Sequence, residues 1–141
     1  EAAAFVGGVS GNAGLFSTTH DLAVIFQMLL DRGICGDRRY LSRATCDLFM
    51  GMKAKNSRRG LGFDKPDVES DDNSPCAPEA PASVFGHTGF TGTCVWVDPD
   101  NELVFVFLSN RTYPVAFGHD NLMKLDIRSR IQQAMYQSIM Y

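Results

Sequence analysis

The sequence predicts an α+β fold, a partial antiparallel sheet of about three strands with helices packed on it. Three observations point there. Apolar residues recur at helical spacing near the start and again near the end of the chain. Strand-like runs rich in Val, Phe and Cys are gathered between those two regions. Turn residues, not a helix, join the last two runs, which makes them neighbours in an antiparallel meander instead of parts of a βαβ unit.

Between Ser17 and Arg32, the residues Leu22, Ile25, Phe26, Leu29 and Leu30 mark one face of an amphipathic helix. Thr18 is placed to cap it, Asp21 follows three places on, and Gly33 is the stop. A second helix opens at Leu41-Ser42, with Ser42 as cap and Ala44, Leu48, Phe49 and Met52 on a face that Gly51 weakens. From Asp64 to Pro81 the chain sets Asp64, Asp67, Glu69, Asp71, Asp72 and Glu79 against a single Lys65 and adds four prolines. That composition predicts an exposed acidic loop over 64–82.

Strands are expected over Ser83 to His87, Cys94 to Val97 and Leu103 to Leu108. Asp98-Pro99-Asp100-Asn101 turns the chain between the last two through Asx bonding and the preset φ of proline. The third run, "LVFVFL", never alternates polar with apolar, so both its faces should be covered and it should have a neighbour on each side. Asn121 to Met140 carries Leu122, Leu125, Ile127, Ile131, Ala134, Met135 and Ile139, a long helix expected to lie along one sheet face.

At 141 residues the chain has room for one domain, and a chain of this size buries roughly two-thirds of its unfolded surface. A formal net charge of -3, with basic residues scattered apart from Ser57-Arg58-Arg59, gives no phosphate footprint, so no nucleic-acid partner is expected. Cys35, Cys46, Cys76 and Cys94 form no C-x-x-C pair and have no His at metal-ligand spacing. They read as small buried hydrophobes, with no metal site, no cofactor and no favoured disulfide pairing. No apolar run reaches membrane-spanning length, and the start of the chain has neither the basic residues nor the apolar length of a signal peptide. Beginning without Met, it reads like the interior of something longer.

The chemistry centres on "FGHTGFT". His87 closes a strand, and Gly89 and Gly92 bracket the turn behind it, letting another backbone or a ligand approach closely. Thr88, Thr91 and Thr93 supply hydroxyls for an anionic group or for the turn itself. A histidine in that position is also consistent with a purely structural role.

The stretch "FGHTGFTGTCVWVDPDNELVFVFLSNRTYP" resembles the C-terminal strands of the serine β-lactamase and penicillin-binding-protein superfamily, especially its class C β-lactamase and esterase branch. "GNAGLFSTTHDLAVIFQMLL" resembles the same family's Ala-Gly-Leu-x-Ser-Thr loop and following helix. In detail the chain looks most like the domain of this type carried behind glycoside hydrolase family 3 β-N-acetylhexosaminidases in Bacteroidetes. The family places a Lys-Thr-Gly or His-Thr-Gly triplet on the strand edging its active site. The resemblance therefore implies that His87 presents charge or a hydrogen bond toward a substrate carboxylate and the nucleophile's proton path. Thr88 would bind the same carboxylate, and Gly89 would keep the edge bare for substrate backbone. The Phe90 N–H would be one oxyanion donor, with Thr91 beside it.

The family's nucleophile is a Ser-x-x-Lys, and no serine of this chain has Lys three places later; Tyr-x-Asn is missing too. Ser10-Gly11-Asn12 imitates the Ser-x-Asn alternative but runs directly into the "AGLFST" loop. The expectation is thus the C-terminal fragment, residues 1–141, of a β-lactamase-like serine hydrolase that cleaves an ester or amide through an acyl-enzyme. It would supply the pocket strand without the nucleophile, and be inactive alone. The competing expectation is a non-catalytic binding or dimerisation module attached to a cell-wall glycosidase. Implied partners are the missing N-terminal part of the domain, a small or peptidoglycan-type substrate, and a second copy through an exposed strand edge. The implied location is periplasmic or secreted.

Overall fold

A computed structural model describes residues 2–51, 53–55, 57–67, 74–115, 118 and 120–139. A short 3-10 turn over Ala2–Val6 leads into an exposed stretch that ends at the first helix. Helix α1 spans Thr19–Leu30 and starts as its spacing predicts: Thr18 Oγ1 accepts from Asp21 N at 3.2 Å and donates to the Asp21 carboxylate at 2.9 Å. Gly33, at φ 89°, takes the left-handed conformation that ends the helix, its N–H bonded to Met28 O at 2.8 Å. Behind it lies a hairpin of β1 (Ile34–Cys35) and β2 (Arg38–Arg39) that turns at Gly36 and Asp37. Strands of this length are too short for alternation to reveal.

Helix α2 (Arg43–Gly51) is capped by Ser42, whose Oγ accepts from Thr45 N at 3.0 Å. Its buried face is Cys46 and Met50, one turn apart, while Leu48 and Phe49 are exposed. This rotates the face expected through Ala44, Leu48 and Phe49; Met52 lies outside the described residues. Both sides of α2 carry apolar residues, so counting them does not select the side that the sheet covers.

The segment 64–82 departs from the exposed loop that its composition predicts. Asp64, Lys65, Cys76, Ala77 and Ala80 are buried; residues 68–73, including Glu69, Asp71 and Asp72, lie outside the described residues. The two charges are tolerated inside because both are bonded. Arg58 grips Asp64 with two hydrogen bonds, and Lys65 Nζ donates to Met50 O at 2.8 Å and Val84 O at 3.3 Å. Those partners come from other segments, which local composition cannot report.

The sheet is β3 (Phe85–Thr88), β4 (Cys94–Asp98) and β5 (Leu103–Phe107), antiparallel in the order β3-β4-β5, with Trp96 opposite both Gly86 and Phe105. Central β4 is buried along its whole length. Alternation sends Cys94, Trp96 and Phe105 to one face, where they meet Cys76, Ala77, Ala80, Val84 and Tyr136. It sends Phe85, Val95 and Val97 to the other, against Leu22 and Leu29 of α1 and Cys46 and Met50 of α2. Cover on both faces is what the unbroken apolar run of β5 announced. The neighbour expected on each side is not found among the described residues, because β5 is an end strand. An apolar run needs layers above and below it, and those do not require strands on both sides.

Asp98 ends β4 and organises its turn. Oδ1 accepts from Asp100 N at 2.9 Å and Asn101 N at 3.1 Å, and Oδ2 from Asn101 Nδ2 at 2.8 Å and Tyr136 Oη at 2.7 Å. The long C-terminal helix divides into α3 (Asn121–Lys124) and α4 (Ile127–Ile139), broken where Asp126 adopts φ 46°. Its inward face is Ser129, Gln132 and Tyr136, and Leu125, Ile131 and Ile139 are exposed. The polar residues go inward because each has a partner there: Gln132 Oε1 accepts from Ala77 N at 2.9 Å, Ser129 Oγ donates to Asp126 at 2.8 Å, and Tyr136 donates to Asp98.

This core gives stability a pH dependence. Burial pushes the Cys94 thiol up to about 11 and raises Cys76 and Tyr136 as well, the last helped by its bond to Asp98. Each raised group favours its neutral form in the fold, so its stabilisation is full below the unfolded pKa and is lost as pH climbs through the folded one. Lys65, lowered by burial, has the opposite sign and gains stability as pH rises toward its unfolded value. Three losses outweigh one gain, so thermal melts from pH 8 to 11 should show a falling midpoint, with the loss beginning near the ordinary thiol pKa of about 8.5. Cys94→Ala is expected to flatten the curve by about 2 kcal/mol across that window. A midpoint that rises over the same range would contradict the assignment.

Candidate active site

Parity along β3 decides what its outer edge offers. Gly86 N and O both bond outward, to Asp64 O at 3.1 Å and from Asp64 N at 2.7 Å, so the backbone groups of His87 face β4 and those of Thr88 face outward again. The Thr88 N–H has no partner among the described residues. On its other side Gly86 lets β4 pack closely because it has no side chain: a Cβ would lie 2.7 Å from Trp96 Cε3 and nearer still to Val95 O.

The turn behind β3 is firmly held. Gly89 N donates to Thr93 O at 2.7 Å and Gly92 N to Gly89 O at 3.0 Å, with Gly92 at φ 97°. The chain after β5 braces it from outside: Arg111 N donates to Thr91 O at 2.9 Å, Arg111 Nε donates to Phe90 O at 2.7 Å, and the guanidinium lies 4.6 Å over the Phe90 ring. Phe90 is exposed, and its N–H has no partner among the described residues. His87, Thr88, Gly89, Phe90 and Thr91 are thus brought together on one strand end, and the N–H groups of Thr88, Phe90 and Thr91 have no partner among the described residues. Ser10 is not in this cluster; its Oγ accepts from Asn12 N at 3.1 Å within the N-terminal stretch.

His87 is engaged at both ring nitrogens. Nε2 lies 2.6 Å from Arg59 Nη1 and Nδ1 lies 2.6 Å from Thr88 O. A guanidinium only donates and a carbonyl only accepts, so the neutral ring with its hydrogen on Nδ1 satisfies both contacts. Arg59 Nη2 also lies 3.5 Å from Asp64 Oδ2, while Arg58 holds the same carboxylate at 2.8 and 3.2 Å. Two guanidinium groups therefore share one buried carboxylate. Arg58, Arg59, Asp64 and Lys65 belong to this region without having been singled out as site residues in the sequence. The signal was the chain's short basic cluster, Ser57-Arg58-Arg59, followed closely by Asp64.

A separate open depression of about 400 Å³ runs beside α1 and β1 to Val104 of β5, lined by His20, Val24, Gln27, Met28 and Ile34 among others. It shares no residue with the His87 cluster.

The family model described as Beta-lactamase matches residues 1–127. The chain belongs to the Beta-lactamase family. Among curated relatives, the "Putative D-alanyl-D-alanine carboxypeptidase" of Escherichia coli O157:H7 is 39% identical over 121 residues, covering 82% of this chain and 27% of that protein. The protein of the same name from Salmonella gallinarum is 39% identical over 116 residues, 79% of this chain and 26% of its own length. This Beta-lactamase-family chain thus spans about a quarter of the curated relatives it matches. A solved β-lactamase from Mycobacterium bovis superposes with a TM-score of 0.64 at 24% identity, over 86% of this chain and 44% of that one, which shows the shared fold.

Proposed function

We propose that this chain is the C-terminal portion of a serine hydrolase that cleaves an ester or amide through an acyl-enzyme, and that it contributes the pocket strand while the nucleophile and base lie in residues outside it. The observation that carries the reading is that the Thr88 and Phe90 N–H groups have no partner among the described residues, in a Beta-lactamase-family chain with no Ser-x-x-Lys of its own. In this reading the Phe90 N–H stabilises the oxyanion, Thr88, Gly89 and Thr91 hold the substrate, and His87 stands beside the reacting groups. The name of these relatives favours a D-alanyl-D-alanine peptide as the amide. Location in the periplasm or outside the cell, and attachment behind a glycoside hydrolase family 3 domain, belong to the same reading. The open edge of β5 would receive the missing part of the domain or a second copy.

Intact-mass measurement after exposure to an activated ester or a penicillin tests this. A longer protein that carries this chain behind a Ser-x-x-Lys is expected to gain an acyl adduct, and the chain alone none. In that longer protein Thr88→Val should lower kcat/KM roughly 10- to 100-fold, the loss of one or two hydrogen bonds to a charged group. A longer protein that gains no adduct yet binds peptidoglycan peptides would replace the hydrolase with the binding module.

A further inference from the structure

We propose that Arg111 is a positioning residue of this site: it holds the turn after β3 so that the Phe90 and Thr91 N–H groups stand fixed and strongly polarised where an oxyanion forms. This rests on the hydrolase reading and adds a residue to it. The argument begins with what anchors the turn. Phe90 and Thr91 are its two central residues, closed by Gly92 N donating to Gly89 O at 3.0 Å. Both are exposed, and neither N–H has a partner among the described residues. The carbonyls around them are all taken: Gly89 O by Gly92 N, Phe90 O by Arg111 Nε at 2.7 Å, and Thr91 O by Arg111 N at 2.9 Å.

Direction follows from those bonds. A trans peptide is planar, with its N–H opposite its C=O, so the bond to Gly89 O aims the Phe90 N–H and the bond to Phe90 O aims the Thr91 N–H. The second of these bonds comes from a cation, and a carbonyl that accepts from a charged donor makes the N–H of the same peptide a better donor in turn. Nothing competes for that charge, since no carboxylate among the described residues pairs with Arg111. The guanidinium also lies 4.6 Å over the Phe90 ring, which steadies the exposed side chain beside the turn. A lysine ammonium could reach Phe90 O but lacks the flat group that covers the ring. Arg111 arrives from 21 residues further along the chain, beyond β5, and Ser109 Oγ donates to the same Thr91 carbonyl at 3.4 Å. On the strand side Gly89 N and Arg128 Nη1 both donate to Thr93 O, at 2.7 and 3.1 Å. The turn is thus braced from two directions, with its amide donors left facing a third.

The test has two parts. In the isotopically labelled chain, a scalar coupling across the hydrogen bond should link Arg111 Nε to the Phe90 carbonyl carbon. Arg111→Met should abolish it and move the Thr91 amide proton upfield, with Arg111→Lys falling between. Both variants keep the bond from the residue 111 backbone N–H to Thr91 O, so their melting midpoints should stay within a few degrees of the unaltered chain. In a longer protein that carries this chain behind a Ser-x-x-Lys, Arg111→Met should lower kcat for p-nitrophenyl acetate about 10-fold or more with KM little changed, and Arg111→Lys should restore part of it. That ester has no carboxylate, so the loss cannot arise from substrate charge. Absence of the coupling, an unchanged kcat, a loss confined to carboxylate-bearing substrates, or a loss matched by a large fall in melting midpoint would each overturn the assignment and leave the hydrolase reading standing. A longer protein whose unaltered sequence forms no acyl adduct would instead overturn the hydrolase reading and with it the part Arg111 plays in the reaction.

Discussion

Gly86→Ala should lower the melting temperature by roughly 10 °C, the consequence of about 3 kcal/mol lost in a chain of this size. The added methyl would meet the Val95 carbonyl and the Trp96 ring, and both belong to the central, fully buried strand. Neither can yield cheaply. Backbone of β4 is held on both sides by β3 and β5, and Trp96 is packed among Val84, Phe105 and Tyr136. Relief would come from β3 moving away, which also loosens the Asp64 pairing and carries Thr88 with it. Differential scanning calorimetry and amide exchange at Thr88 and Val95 would check both parts. An unchanged midpoint would mean that β3 and β4 are not in the described register.

The second large effect is expected at Asp98. Its carboxylate is buried and serves two backbone N–H groups, the Asn101 amide and the Tyr136 hydroxyl, so Asp98→Ala leaves all of them short of an acceptor at once. Denaturant melts should show a loss of about 3 kcal/mol, with Tyr136→Phe costing about 1 kcal/mol. The double variant should lose clearly less than the sum, because the two side chains share one bond. Strict additivity in the cycle would show that α4 is not tied to the β4–β5 turn through this pair.

Much of this fold was legible. Thr18, Ser42 and the Asp98 turn act through bonds to nearby residues, and such local chemistry can be read from neighbours in sequence. What could not be read was settled by distant partners. Gln132 and Tyr136 face inward because Ala77 N and Asp98 wait for them, so the helix presents a polar seam to the core that a count of apolar residues passes over. Lys65 is buried because three carbonyls from two other segments surround its ammonium. The site shows the same division. His87 to Thr91 stand out as one contiguous motif, whereas Arg59 joins them only through folding, since nothing in a short basic cluster tells which of its members will reach a histidine 28 residues away.

The placement of β3 and β5 at opposite borders of the sheet has a consequence for assembly. With β4 between them, the two borders stand roughly 10 Å apart, two interstrand spacings. Two molecules that zipped together along β5 would extend one ribbon whose outermost rims both carry the Thr88 amide. Joining would then neither block nor complete that rim, and ligand uptake per molecule would be the same in the paired and the solitary state.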